Sequence, residues 1–188
     1  VDAGLQRLHP DWFGDDVIPQ RFSGETFYDD QGRYYGACLA AFGICYNKDR
    51  IAELSEKTGR DCTPTRWEHL GEPVFFQHTA VADPTKSGSI TKCFEMLIQQ
   101  QMQIAVRAAG KAAPDAGWAN GMNLIKRIGA NARYFTDSAG KVPIDVAEGN
   151  AAAGLAIDFY GRYQAEISRG PANEPHMAYN TPVGGSSV

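Results

Sequence analysis

From Tyr34 to Tyr46 the chain is aromatic, small and glycine-punctuated, without a charge, which predicts a long strand over 33–46, or two strands with a bend at Gly36 or Gly43. Asn47 is placed to cap the helix that follows, with Ile51, Ala52 and Leu54 on its apolar face. Thr65 and Glu68 have the spacing of a capping box and predict another short helix. Val74 to Ala82 reads as a buried strand ended by Asp83-Pro84. After Ser87 the residues Phe94, Leu97, Ile98, Met102, Ala105 and Val106 recur at helical spacing, up to a stop at Gly110. Pro114-Asp115 opens a further helix with Trp118, Met122, Leu124, Ile125 and Ile128 on its core side and Gly129 after it. A short strand at 133–135, a helix over 141–148, a strand over 153–160, a polar helix over 161–169 and an extended segment at 176–180 complete the series. Before all of this, residues 1–32 are turn-rich and polar and read as an irregular lead-in, with 184–188 as a tail.

Strands alternating with helices imply an α/β fold: a mostly parallel sheet with helices on both faces. In such sheets ligands bind beyond the carboxyl ends of the strands. That rule gathers three polar turns along one rim: Ser87-Gly88-Ser89, Thr136 to Gly140, and Asp158-Phe159-Tyr160. The first stands at the start of the longest predicted helix, where backbone N–H groups lack intrahelical partners and the peptide dipoles favour a negative or polar group. Ser87 and Ser138 each have a plainer reading as helix caps, and Tyr160 as a ring packed at a strand end with its hydroxyl paired.

Composition narrows the field. The 188 residues suit one good-sized core, and 43 % apolar with 21 % charged residues is ordinary for a globular domain. A net charge of −4 offers no basic surplus for phosphates, so no nucleic-acid partner is expected. No apolar run reaches membrane-spanning length. The chain opens at Val1 without a methionine or a signal-like segment, so a processed or excised chain is expected. Cys38, Cys45, Cys62 and Cys93 lack metal-type spacing. Buried thiols are the plain reading, with a Cys62–Cys93 bridge left open. The histidines (His9, His69, His78, His176) are scattered, and neither a nucleophile elbow nor a phosphate loop is present. Asp83, Asp137, Asp145 and Asp158 are single aspartates near turns, which commonly satisfy local backbone donors.

Four stretches together resemble the solute-binding proteins of ABC transporters, and within them the group of ferric-iron binders and their relatives for small organic and phosphorylated solutes. They are Ala41 to Asn47, Ala82 to Ser89, Thr136 to Pro143 and Asp145 to Gly154. The resemblance implies that residues 33–183 are the sequence-continuous lobe of a two-lobed, periplasmic-binding-protein-like fold, with hinge strands at Tyr34–Tyr46 and Tyr179–Pro182 and the second lobe outside this chain. It further implies a non-enzymatic component of an uptake system, periplasmic or extracellular, whose partners are a small anionic or polar solute bound in the cleft between the lobes, a membrane permease and that second lobe. No cofactor and no metal is expected. The implied ligand wall comprises Phe42, Ser87, Gly88, Ser89, Ser138, Asp158 and Tyr160. In ferric-iron members two adjacent tyrosines bind the metal; Phe159 stands at one of those positions and offers no oxygen, which argues against direct Fe(III) coordination. The alternatives are a small α/β enzyme acting on a phosphorylated or carboxylated metabolite at the same rim, and an iron binder despite Phe159.

Overall fold

The structure, a computed structural model, describes residues 4–22, 25–109 and 114–183. The chain divides into two compact units, 1–39 and 40–188. In the first, a short helix α1 (Leu5–Leu8) and a 3-10 turn (Pro10–Trp12) precede a two-stranded ribbon of β1 (Arg21–Phe22) and β2 (Glu25–Thr26). Its anchor is Asp29, 7 % exposed, whose carboxylate accepts from the Arg33 guanidinium and from the backbone N–H of Gln31 at 2.7 Å. That guanidinium holds the Asp29 carboxyl below the usual carboxylate range.

The second unit contains strands β3 (Phe42–Asn47), β4 (Thr79–Ala82), β5 (Ala132–Thr136), β6 (Ala153–Ile157) and β7 (Met177–Asn180), in the order β5-β4-β6-β3-β7. β4 pairs parallel with β5 and β6, and β3 pairs antiparallel with both β6 and β7. Four strands therefore run one way and only β3 runs against them, so the sheet is mostly parallel. Every residue of β4 and β6 is buried. Successive strand side chains point to opposite faces, so both faces are covered, as crossover connections require. The cover comes from α2 (Lys48–Thr58), α3 (Gly88–Ala109), α4 (Pro114–Asn131), α5 (Lys141–Ala147) and α6 (Asp158–Ile167). Trp67, Leu70, Phe75, Leu97, Leu124 and Ile128 are fully buried in the shared core.

Local chemistry explains the boundaries. Asn47 caps α2 as expected, its side-chain oxygen accepting from Asp49 N and Arg50 N at 3.1 Å, while its Nδ2 donates to Val146 O at 3.0 Å. Gly154 lets α5 lie directly on β6: a Cβ there would come 2.4 Å from Val142 Cγ1 and 2.8 Å from the Ala80 carbonyl.

Several expectations are corrected. The strand expected over 33–46 joins the sheet only from Phe42, because its partner β6 ends opposite, at Ile157, and the chain there turns into a helix. Cys38 is accordingly outside the sheet and exposed; Cys45, Cys62 and Cys93 are buried, and all four thiols are free. The strand expected over 74–82 is Thr79–Ala82, since a 3-10 turn at Pro73–Phe75 and Gln77 at φ 60° interrupt it. The strand expected over 153–160 ends at Ile157, and α6 starts at Asp158 rather than at 161. Thr65 and Glu68 form no capping box: the turn Trp67–Gly71 is capped at Arg66 without a side-chain bond, and Glu68 accepts from Gln101 Nε2 at 2.9 Å. α4 runs past Gly129 to Asn131, whose Nδ2 donates to Leu70 O at 2.8 Å and Glu72 O at 2.7 Å. Trp118 is 53 % exposed rather than core, because Gly117 and Gly121 occupy the face of α4 that meets α3. The stop expected at Gly110 and the tail 184–188 lie outside the described residues.

Candidate functional site

β4, β5 and β6 run parallel, so their carboxyl ends open at one end of the sheet, and the chain leaves each of them into a helix. After β4, Asp83 accepts from Thr85 N at 2.8 Å and Thr85 Oγ1 at 2.7 Å, folding the turn that sets up α3. The Thr85 hydroxyl and N–H hold the Asp83 carboxyl below its usual range. After β5, Thr136 Oγ1 donates to Ser138 O at 2.8 Å, and Lys141 N closes on the same carbonyl at 3.2 Å. After β6 there is no loop: α6 begins at once, and its opening residue is tied to the residue before β3 by Asp158 N donating to Ala41 O at 2.8 Å.

These turns enclose a cleft of about 580 Å³. Ser87, Ser89, Ser138, Gly140, Lys141 and Gln164 line its polar parts, and Ala139, Pro143, Ile144, Tyr160 and Tyr163 its apolar parts. The volume falls in the range of small-molecule sites, about 300–1,000 Å³. Ser87, Ser89, Ser138 and Tyr160 from the expected set are thus brought together, with Gly88 between the two serines. Phe42 and Asp158 are not in the lining. Phe42 is buried in β3 opposite Ile157, and Asp158 accepts from Phe159 N at 2.9 Å. Ser138 does not cap α5: its N-cap is Gly140, without a side-chain bond, so the capping reading of Ser138 falls away. Tyr160 is 42 % exposed, its ring 4.5 Å from that of Phe159, so its ring is not packed away in the core.

Lys141, Ile144, Tyr163 and Gln164 were not among the residues expected from sequence. Lys141 Nζ lies 2.6 Å from Asp145 Oδ1, a carboxylate only 2 % exposed, and the contact raises the lysine above its ordinary value. Asp145 Oδ2 is buried without a hydrogen-bond partner among the described residues. Burial first, with the Asp145 carboxylate next, pushes the Tyr134 hydroxyl up to about 12. At the rim Lys86 Nζ meets Asp137 Oδ1 at 2.5 Å, linking the turns after β4 and β5. Both partners are exposed, so that link adds little stability. No group of three or more His, Cys, Asp or Glu side chains suited to a metal ion occurs among the described residues. No helix among them is long and apolar enough to cross a membrane.

A family model described as bacterial extracellular solute-binding protein matches residues 13–188. Among solved structures, the periplasmic binding protein AfuA from Actinobacillus pleuropneumoniae, with exogenous fructose-6-phosphate bound, is similar at 17 % identity and a TM-score of 0.62, over 82 % of this chain and 42 % of that one. Mannheimia haemolytica ferric iron-binding protein A, in an open conformation, is similar at 15 % identity and a TM-score of 0.52, over 85 % and 44 %. The spermidine/putrescine substrate-binding protein PotD from Streptococcus pneumoniae is similar at 13 % identity and a TM-score of 0.50, over 79 % and 38 %. At such identities the likeness carries the fold alone. The chain spans about two fifths of each of these proteins. No functionally curated protein matches it.

Proposed function

Because the chain belongs to the bacterial extracellular solute-binding protein family, we propose that it forms one lobe of the solute-binding component of an ABC uptake transporter. Members of that family are binding proteins rather than enzymes. The observation that carries the reading is the convergence of three strand ends on one open cleft of about 580 Å³. In this reading residues 33–183 are the lobe and 1–32 a lead-in. Ser87, Gly88, Ser89, Ser138 and Tyr160 provide this lobe's wall of the site, while Phe42 and Asp158 support the wall from the β3 side. A second lobe, from sequence outside this chain, supplies the facing wall. The protein acts in the periplasm or outside the cell and delivers a small polar solute to a membrane permease.

The mechanism is closure. Phe42 of β3 pairs with Ile157 at the cleft end of β6, and Asn180 at the close of β7 lies beside Ile44. In this reading both strands lead to the second lobe from the cleft end of the sheet, where a hinge belongs. A solute touching both walls stabilises the closed arrangement by its differential affinity, and a permease reads that shift in population.

The test is binding without turnover. Calorimetry and thermal shift on the full-length protein, against the small molecules of a cell extract, are expected to find a ligand that is recovered unchanged. Chemical conversion of that ligand would overturn the reading. This chain by itself is expected to bind the same ligand far more weakly, since contacts from one wall must still offset the cost of ordering it. Equal affinities for the two forms would count against a two-walled site.

A further inference from the structure

Resting on the reading of the cleft as a solute site, we infer that its wall takes an uncharged, ring-shaped polyhydroxyl compound, because the positive charge lining it is already committed to a buried carboxylate. Lys141 is the charged residue among the described residues lining the cleft. Its ammonium is 2.6 Å from Asp145 Oδ1, and Asp145 is 2 % exposed with its other oxygen buried and without a hydrogen-bond partner among the described residues. A buried carboxylate stripped of its counter-ion is strongly destabilising. A ligand anion that draws Lys141 away strands Asp145, and one that shares the ammonium leaves two negative charges on one positive. Lys86, the cation at the rim, is neutralised in the same way by Asp137 at 2.5 Å. The two lysines of the wall and its rim, Lys141 and Lys86, are thus each matched by a carboxylate inside the chain.

What remains free to recognise a ligand suits hydroxyl groups on a ring. Ser87, Ser89 and Ser138 each both donate and accept, as a sugar or cyclitol hydroxyl does, whereas a phosphate monoester needs donors above all. Gln164, whose Nε2 already donates to Ser168 Oγ at 3.1 Å, adds its amide oxygen. Tyr160 and Tyr163 are three residues apart on α6, hence neighbours on its surface, and are 42 % and 65 % exposed. With Pro143 and Ile144 they offer a flat apolar bed for the face of a ring, while the serines stand at the polar side. The start of α3 adds donors for a hydroxyl oxygen without supplying a formal charge.

The experiment is calorimetry on the full-length protein with glucose, fructose and inositol, each against its own phosphate monoester. At least one neutral compound is expected to bind, with its phosphate ester tighter by no more than about threefold. Its affinity is expected to hold steady between low and high salt, as an uncharged contact should. Tyr163→Ala and Ser138→Ala are each expected to weaken it by about tenfold or more. Asp145→Asn releases Lys141, and the ratio of phosphate to neutral affinity is expected to rise about tenfold. A wild-type preference for the esters beyond about tenfold, or a steep salt dependence, overturns the inference without any variant having to fold. An unchanged ratio in a folded Asp145→Asn protein, or neutral binding indifferent to Tyr163 and Ser138, also overturns it. If only the esters bind, and the Ser138 and Tyr163 variants weaken them, the solute cleft stands and the uncharged-ligand inference falls. If no compound binds and native mass spectrometry of the purified full-length protein shows no retained small molecule, both readings fall.

Discussion

Tyr179 is wedged where Gly43 and Gly161 leave room: a Cβ on either glycine would come 2.4 Å from its ring. The Arg162 guanidinium lies 5.3 Å above that ring. Its hydroxyl, however, is buried with no partner among the described residues, and burial, followed by the Asp158 charge, holds its pKa well above the usual phenol value. A buried orphan polar group costs stability, so Tyr179→Phe is expected to leave the urea midpoint unchanged or raise stability by up to about 1 kcal/mol. A clear loss would mean the hydroxyl has a partner. His78 makes the second prediction at this scale. Burial, then the positive Arg50, Lys57 and Arg133, lower its pKa from the ordinary value of 6.5. The unfolded chain thus takes up the His78 proton more readily than the folded one. The stabilising contribution of neutral His78 is complete above about pH 6.5 and is lost as the pH falls from there through the lower folded-state value. Urea titrations from pH 5 to 7 are expected to show a flatter stability profile for His78→Gln than for the parent protein.

The helical pair α3 and α4 shows how close packing outweighs local propensity. A Cβ at Gly117 would sit 2.4 Å from Met102 Cα and 2.7 Å from Gln101 O, backbone atoms that cannot swing aside. A Cβ at Gly129, twelve residues further along the same helix, would meet only Phe135 Cζ at 3.8 Å. Both replacements by alanine gain about 1 kcal/mol of helix propensity. Only the first forces the helices apart, at about 1–3 kcal/mol or more. Gly129→Ala is therefore expected to raise the melting temperature and Gly117→Ala to lower it. Element types were legible in the sequence where one signal dominated, as at Asn47 before α2 or the apolar stripe of α3. Boundaries failed where a partner decided them: Phe42 begins β3 because β6 stops at Ile157, which lies more than a hundred residues away in sequence. Trp118 misled because the face of a helix that buries most tightly here is the one with the smallest residues.

For the molecule as a whole, parallel strands made much of the site readable. Ser87, Ser138 and Tyr160 come together because β4, β5 and β6 point the same way, and that follows from alternating strands and helices alone. Tyr163 and Gln164 escaped because α6 was expected to start at 161, which hid the one-turn spacing from Tyr160. Lys141 and Asp145 carried a signal, a four-residue separation on a helix, but its weight depends on the burial of Asp145, which spacing does not reveal. The thiols offer a test of the two compact units at this scale. Cys38 is exposed, while burial pushes Cys45 up to about 12 and Cys93 higher still. Iodoacetamide at neutral pH is expected to label Cys38 within the native protein and the other three only after denaturation, as read by peptide mass spectrometry.

The lone reversed strand carries a mechanical consequence. Ile44 near the beginning of β3 faces Asn180 at the close of β7 across an antiparallel ladder. Tension applied between residue 41 and residue 181 therefore loads the rungs of that ladder one after another, like a zipper, instead of shearing them all at once. Under force β7 should peel away first and at low load, leaving the β5-β4-β6 slab, with its serines and tyrosines, intact.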